Sequence, residues 1–155
     1  MKVLVMSDSH GSTSVMRQAM AIESPDIVLH LGDNDRDCTN VMKDYPKIPF
    51  RCVRGNCDYS AGQPEMDDFT IEGKRFFMTH GHHYRVKTGY STIINYASAL
   101  EVDVLLFGHT HIPYYAVDGN LSVINPGSIG MGSKTYAVLT LESGAVVCEI
   151  KTLPA

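Results

Sequence analysis

The sequence predicts an α/β chain built from two packed β-sheets, the first partly parallel, with helices on the outside. Three observations carry this. Continuous apolar runs of strand length recur along the chain, as expected of strands covered on both faces. In the first half they alternate with helical periodicity, giving β-α-β-α-β. In the second half short apolar runs are separated by Gly-rich turns, the pattern of antiparallel strands.

The elements follow in order. "KVLVM" (2–6) is the first buried strand. Ser12 is placed to cap a helix over 13–24, where Val15, Met16, Ala19, Met20 and Ile22 form a stripe that Pro25 ends. "DIVLHL" (26–31) is the second strand, closed by Gly32-Asp33. A short helix spans 36–44, and "FRCVR" (50–54) is a third strand, stopped by Gly55-Asn56. Residues 68–80 read as a hairpin turning at Glu72-Gly73. A helix over 88–101 leads to the strand "DVLLFGH" (103–109). Four short strands follow: "YYAV", "LSVINP", "TYAVLTL" and "AVVCEIK".

The chain has 155 residues, which suits one domain over 1–155 with a substantial core. With 44% apolar and 19% charged residues it reads as globular rather than disordered. No apolar run reaches the length of a membrane span, and the initial run meets Ser7, Asp8 and His10 too early for a secretory segment. A cytoplasmic location is expected. A net charge of −4 lacks the electrostatic footprint of a nucleic-acid binder. Cys38, Cys52, Cys57 and Cys148 form no C-x-x-C pair, so reduced and mostly packed thiols are expected.

Six of the seven histidines fall in three short segments: His10; His80, His82 and His83; His109 and His111. Polar residues recur at the ends of apolar runs: Asp8 and His10, Asp33, Asn56, His80, then His109 and His111. Side-chain alternation in an extended chain would point Asp8 with His10, and His109 with His111, into one cleft. Each segment alone has a plainer reading: a polar loop, a helix cap at Asp33, a turn asparagine at Asn56. Together they form a ligand set for metal ions. Seven candidate ligands exceed what one tetrahedral zinc accepts, and a nitrogen-rich set does not suit calcium or magnesium. Two ions sharing a bridging carboxylate, for which Asp33 is placed, fit better. Two carboxylates cannot neutralise two divalent ions, so the site stays positive and suits an anion such as a phosphate ester. Paired ions roughly 3.5–4 Å apart clamp the attacking and departing oxygens of an in-line displacement and lower the pKa of bound water.

Asp8-x-His10, Gly32-Asp33, Gly55-Asn56-Cys57-Asp58, His80-Gly81-His82 and Gly108-His109-Thr110-His111 resemble the successive motifs of the calcineurin-like metallophosphoesterases. The compact size and the "GNCD" spelling are similar to the small YfcE-type phosphodiesterases. The resemblance spans 8–128 when "NPGS" (125–128) is included. It implies a four-layer αββα sandwich of two mixed sheets with outer helices. It also implies that Asp8, His10 and His111 hold one ion, that Asp33 bridges, and that Asn56, His80 and His109 complete the second. The ions would be two divalent metals, manganese first, with iron, zinc, nickel or cobalt as alternatives. Many relatives carry a histidine directly after the Gly-Asn, where it can protonate the leaving group; here that place is Cys57. A thiol is a poor general acid for an alkoxide, so Cys57 reads as a packing residue, with a weak catalytic or redox role as the alternative. The alternative proton source is His82, whose other reading is to orient a ligand. His83 reads as an exposed neighbour. "NPGSIGMG" lacks the basic residue that some relatives carry there.

The expected function is hydrolysis of phosphodiesters. Asn56 is assigned with the ions to stabilising the developing charge. Diesters are preferred to monoesters because only Arg54 and Arg85 lie near the motifs to meet a dianion. The expected partner is a small phosphodiester substrate, with no membrane partner and nucleic acid disfavoured. The segments "YSTIINYASAL" and "IPYYAV" leave a homo-oligomer open. The competing readings are a phosphomonoesterase and a scaffold on the same fold. Intact ligands, with all seven candidates present, weigh against the scaffold.

Overall fold

The computed structural model describes residues 1–59 and 62–155. Strand β1 is Lys2–Met6, followed by helix α1 (Thr13–Glu23), β2 (Ile27–His30), α2 (Asp35–Met42) and β3 (Phe50–Cys52). A hairpin of β4 (Met66–Ile71) and β5 (Lys74–Thr79) leads through a 3-10 turn, His82–Tyr84, to α3 (Ser91–Ala99) and β6 (Val104–Leu106). The chain ends with β7 (Tyr114–Asp118), β8 (Leu121–Asn125), β9 (Thr135–Glu142) and β10 (Ala145–Thr152).

Two five-stranded mixed sheets result, ordered β10-β9-β1-β2-β3 and β4-β5-β6-β8-β7. Side-chain parity builds the layers. Val3 and Val5, Phe76 and Met78, and Val104 and Leu106 point between the sheets with Ile27, Leu29, Leu139 and Ile124. The intervening Leu4 and Met6 face α1 and α2, against Met16, Ala19, Met20 and Val41. Phe77, Leu105 and Val123 face α3, against Ile93 and Ala97. Three apolar interfaces separated by two sheets are the four-layer αββα sandwich. Each is dense enough that truncating a fully buried aromatic such as Phe76 to Ala would destabilise by about 3–5 kcal/mol.

Two expectations are corrected. The second half is not a wholly antiparallel unit: β5, β6 and β8 run parallel, because the segment carrying α3 is long enough to return the chain in the same direction. Strands β9 and β10 instead cross to the first sheet, antiparallel to β1. The thiols are also not all free. Cys38 on α2 and Cys52 on β3 form a disulfide, because α2 packs back on β3 and brings their Cα atoms to 6.8 Å. They lie 14 positions apart, so no short spacing signals the pair.

Smaller differences share one cause. The strands expected over 26–31, 50–54 and 103–109 end at His30, Cys52 and Leu106, where the chain leaves the ladder for loops that bear polar residues. The helix expected over 88–101 begins only at Ser91, after Gly89 at φ 150°. Ser12 sits at the N-cap of α1, but its hydroxyl makes no capping bond. The Glu72-Gly73 turn is as expected, with both residues at positive φ, as a tight hairpin requires. No helix among the described residues is long and apolar enough to cross a membrane.

Candidate metal centre

The parallel strands deliver the site. Asp8 and His10 follow β1, Asp33 follows β2, and Asn56 follows β3, all at the carboxyl edge of the first sheet. His80 follows β5, and His109 and His111 follow β6, at the carboxyl edge of the second. The two edges meet. His80 Nδ1 is 2.8 Å from the Leu31 carbonyl, and the His109 N–H donates to Asp8 Oδ2 at 3.1 Å.

Alternation is not what aims these side chains. Asp8, His10, Asp33, His109 and His111 all have left-handed backbones, with φ of 54°, 47°, 57°, 71° and 61°. Non-glycine residues adopt this region at a cost of order 1–3 kcal/mol each, and such residues cluster at functional sites. The expected pairs do converge, through turn geometry rather than extended chain. Glycines beside them leave room for the carboxylates. A Cβ on Gly55 would collide with the Asp33 carboxylate, and one on Gly108 would lie 2.8 Å from Asp8 Oδ2.

Two groups form. Ligand atoms of Asp8, His10 and His111 lie within 4.8 Å of one another, as do those of Asp33, His80 and His109, and each group could hold a metal ion. In the first, His111 Nε2 is 3.1 Å from Asp8 Oδ1 and His10 Nε2 is 3.3 Å from His111 Nε2. In the second, His80 Nε2 is 3.3 Å from Asp33 Oδ2 and 3.2 Å from His109 Nδ1. The groups interlock: Asp33 Oδ2 is also 3.9 Å from His10 Nε2, and Asp8 Oδ1 is 3.8 Å from His80 Nε2. The donor set fits a cation. His80 gives its Nδ1 proton to the Leu31 carbonyl, so Nε2 is the nitrogen that faces inward and would ligate once a cation displaces its proton. The outer oxygen of Asp8 is held by the Ser7 hydroxyl and the His109 N–H, and that of Asp33 by the Cys57 N–H at 3.0 Å. One oxygen of each carboxylate is thus left for the centre.

Electrostatics agrees with geometry. Burial works to raise the Asp33 carboxyl, but the hydrogen bond and charge of His80 outweigh it and hold Asp33 well below its ordinary range. Burial likewise opposes protonation of His80, yet Asp33 and Asp8 leave its pKa raised. Burial, then the charge of His80, pushes His109 down to about 4. His109 is therefore a neutral nitrogen donor at neutral pH.

The remaining expected residues divide. Asn56 is exposed on the turn after β3, with its amide nitrogen 3.6 Å from Cys57 Sγ. Its neighbour Cys57 is exposed, not packed as expected, because the turn needs its N–H for Asp33 and leaves the side chain outside. Burial and then the Asp33 charge raise its thiol pKa, which leaves it protonated at neutral pH. His82 lies beside the second group, its ring 5.5 Å from that of His80 and 6.1 Å from that of His109. Its Nδ1 is buried and finds no partner among the described residues, and burial, then His83, lowers its pKa. His83 is exposed, its ring 4.0 Å from that of His82. Arg54 is not free to meet an anion, because it pairs with Glu65 at 3.0 Å.

Sequence reasoning missed the braces behind the ligands. His30 is fully buried. It accepts the Gly32 N–H on Nδ1 and donates from Nε2 to Ser9, and burial holds it near pKa 4. "NPGS" turns out to be structural. Asn125 donates to the Gly108 carbonyl and Thr110 hydroxyl, and Ser128 donates to the Asp8 carbonyl at 2.8 Å. Asp37 accepts from the Gly11 N–H at 2.8 Å. These partners lie far apart in sequence, and only their presence in polar loops signalled them.

A fold with two interlocking carboxylate-histidine groups at the carboxyl edges of paired sheets defines a metallophosphoesterase. The calcineurin-like phosphoesterase superfamily domain matches residues 1–144, and the chain belongs to that superfamily. It is 33% identical over 153 residues to a probable metallophosphoesterase of Mycoplasma pneumoniae, covering 94% of this chain and 92% of that protein. It is 28% identical to the phosphodiesterase YfcE of Escherichia coli K12, covering 84% and 80%. A predicted phosphoesterase of Streptococcus pneumoniae superposes with a TM-score of 0.83 at 27% identity, covering 97% and 88%.

Proposed function

We propose that the chain is a phosphodiesterase of small substrates that works with two divalent metal ions. The carrying observation is the interlocked pair of ligand groups, with Asp33 Oδ2 between His80 on one side and His10 on the other. Asp8, His10 and His111 hold one ion; Asp33, His80, His109 and Asn56 hold the other, with Asp33 shared. Bound there, the ions supply positive charge at phosphorus and lower the pKa of water toward neutrality. Asn56 contributes a neutral amide oxygen, so it adds a ligand without removing positive charge, and it steadies the charge that develops on the phosphoryl oxygens. His82, beside the second group and outside it, either gives a proton to the departing alkoxide from its protonated fraction, which burial reduces, or orients a ligand. Cys57 does not, because its thiol holds its proton too tightly. Pairing of Arg54 with Glu65 supports diesters, since it occupies one of the two arginines near the motifs that could meet a dianion. The name of YfcE supports the same choice. Manganese is the first metal to try, and the expected partner remains a small soluble diester.

The test compares bis-p-nitrophenyl phosphate with p-nitrophenyl phosphate on chelator-stripped protein, with and without manganese. Metal-dependent turnover of the diester well above the monoester is expected. Faster monoester turnover would make the chain a phosphomonoesterase. No turnover with two ions bound would make it a scaffold. In the same assay His82→Ala should slow alkyl leaving groups more than p-nitrophenolate; equal losses would give His82 an orienting role instead.

A further inference from the structure

Asp58 belongs to neither ligand group, yet it is the most heavily bonded carboxylate near them. Its Oδ2 accepts backbone N–H bonds from Asp33 at 3.0 Å and Gly55 at 2.7 Å. Its Oδ1 accepts from Asn34 at 2.9 Å and Asp35 at 3.0 Å. Three of the four donors are consecutive and run from ligand Asp33 into α2. The fourth stands directly before Asn56.

Local physics explains the arrangement. Asp33 and Asn34 have left-handed backbones, φ 57° and 75°, and their successive N–H groups converge on one concavity. Such a concavity attracts an anion, and unpaired N–H groups there would each cost about 1–3 kcal/mol. Asn34 holds the N-cap position of α2, but its side chain makes no capping bond. The cap comes instead from Asp58 on another loop. The exchange is reciprocal: Asp33 Oδ1 accepts the Cys57 N–H, while Asp58 Oδ2 accepts the Asp33 N–H, each at 3.0 Å. The two loops thus fix each other through two carboxylates, only one of which faces the centre.

We propose that Asp58 is a positioning residue that sets the separation between the shared Asp33 carboxylate and Asn56. It thereby tunes the ion held by Asp33, His80, His109 and Asn56 without touching it. This rests on the two-ion reading above. Asp58→Asn is the informative change: the amide keeps one acceptor oxygen and turns an N–H₂ toward backbone donors. Manganese titration of chelator-stripped protein by calorimetry should show two tight ions in the unaltered chain. In Asp58→Asn one ion should remain tight and the other should weaken about 10–100-fold, as loss of a partner behind a ligand does. Adding His111→Ala to Asp58→Asn should then remove the remaining tight ion.

Glu23→Gln serves as a control, because it weakens the fold far from the ligands. Equal weakening of both ions by Asp58→Asn, or affinities as little changed as in Glu23→Gln, would overturn the proposal. Asp58→Ser, which keeps a short acceptor, takes its place if Asp58→Asn does not fold, with the same expectation and the same refutation. An unaltered chain that binds fewer than two ions would instead remove the two-ion reading itself.

Discussion

Gly55→Ala tests how tightly the loops around the centre are built. A Cβ at this position would meet the Asp33 carboxylate and lie 2.7 Å from the Asp33 backbone nitrogen. Ordinary contact begins at 3.4 Å, so that nitrogen must retreat by 3.4 − 2.7 = 0.7 Å. The shift is hard to absorb, because the nearest atoms are the Asp33 backbone nitrogen and its carboxylate, which the Cys57 N–H and His80 already hold. Gly55 has no left-handed φ, so the effect is purely steric. Overpacking of this kind destabilises by about 1–3 kcal/mol. Displacing a reacting group by about 1 Å costs on the order of 10²-fold in rate. Gly62→Ala is the matched control, since no described residue lies within 4 Å of the added carbon and its φ is not left-handed either. Thermal denaturation, manganese titration and diester turnover should all fall for Gly55→Ala and stay near the unaltered values for Gly62→Ala. A Gly55→Ala protein with intact ion affinity and turnover would refute the close approach of the two loops.

Two further outcomes follow from residues outside the ion groups. Glu23 is buried and bonded to Lys151 at 3.0 Å and Tyr136 at 2.8 Å; although burial opposes its charge, these partners lower its pKa from the ordinary 4.5. Its charge therefore stabilises the fold fully above about pH 4.5, and the contribution is lost as pH falls through the folded-state value. Glu23→Gln should lose about 1–3 kcal/mol at pH 7, since both lysine partners are partly exposed, and the gap should close in acid; a gap independent of pH would contradict the pairing. Cys57→Ser should keep turnover within a few-fold, because the residue serves Asp33 through its backbone N–H; a collapse of kcat without loss of stability would give the thiol a catalytic part.

The layers were legible because parity and periodicity are local. Val3 and Leu4 differ by one position, and that alone sends them to different cores. Strand direction was not legible in the second half. Gly-rich turns between short apolar runs read equally well as hairpins, and only the return of the chain through α3 makes β5 and β6 parallel. That detail decides the site, since antiparallel neighbours would have put His80 and His109 at opposite edges. The Cys38–Cys52 pair was hidden for a related reason: it depends on where α2 packs, not on spacing.

The candidate ligands that converge here could be read because metal chemistry restricts residue type. Histidines and carboxylates at strand ends have few other reasons to gather. What fixes their geometry could not be read, because it consists of side chains bonded to the backbone of distant loops. Asn125 reaches back 17 residues to Gly108, Ser128 reaches 120 to Asp8, and His80 reaches 49 to Leu31. A backbone carbonyl or N–H carries no residue identity, so its half of each bond leaves no trace in the sequence. Each loop also uses backbone conformations that propensity disfavours in aspartate and histidine. Local rules therefore fail at the ion groups themselves, and the braces behind them hold what those rules would not.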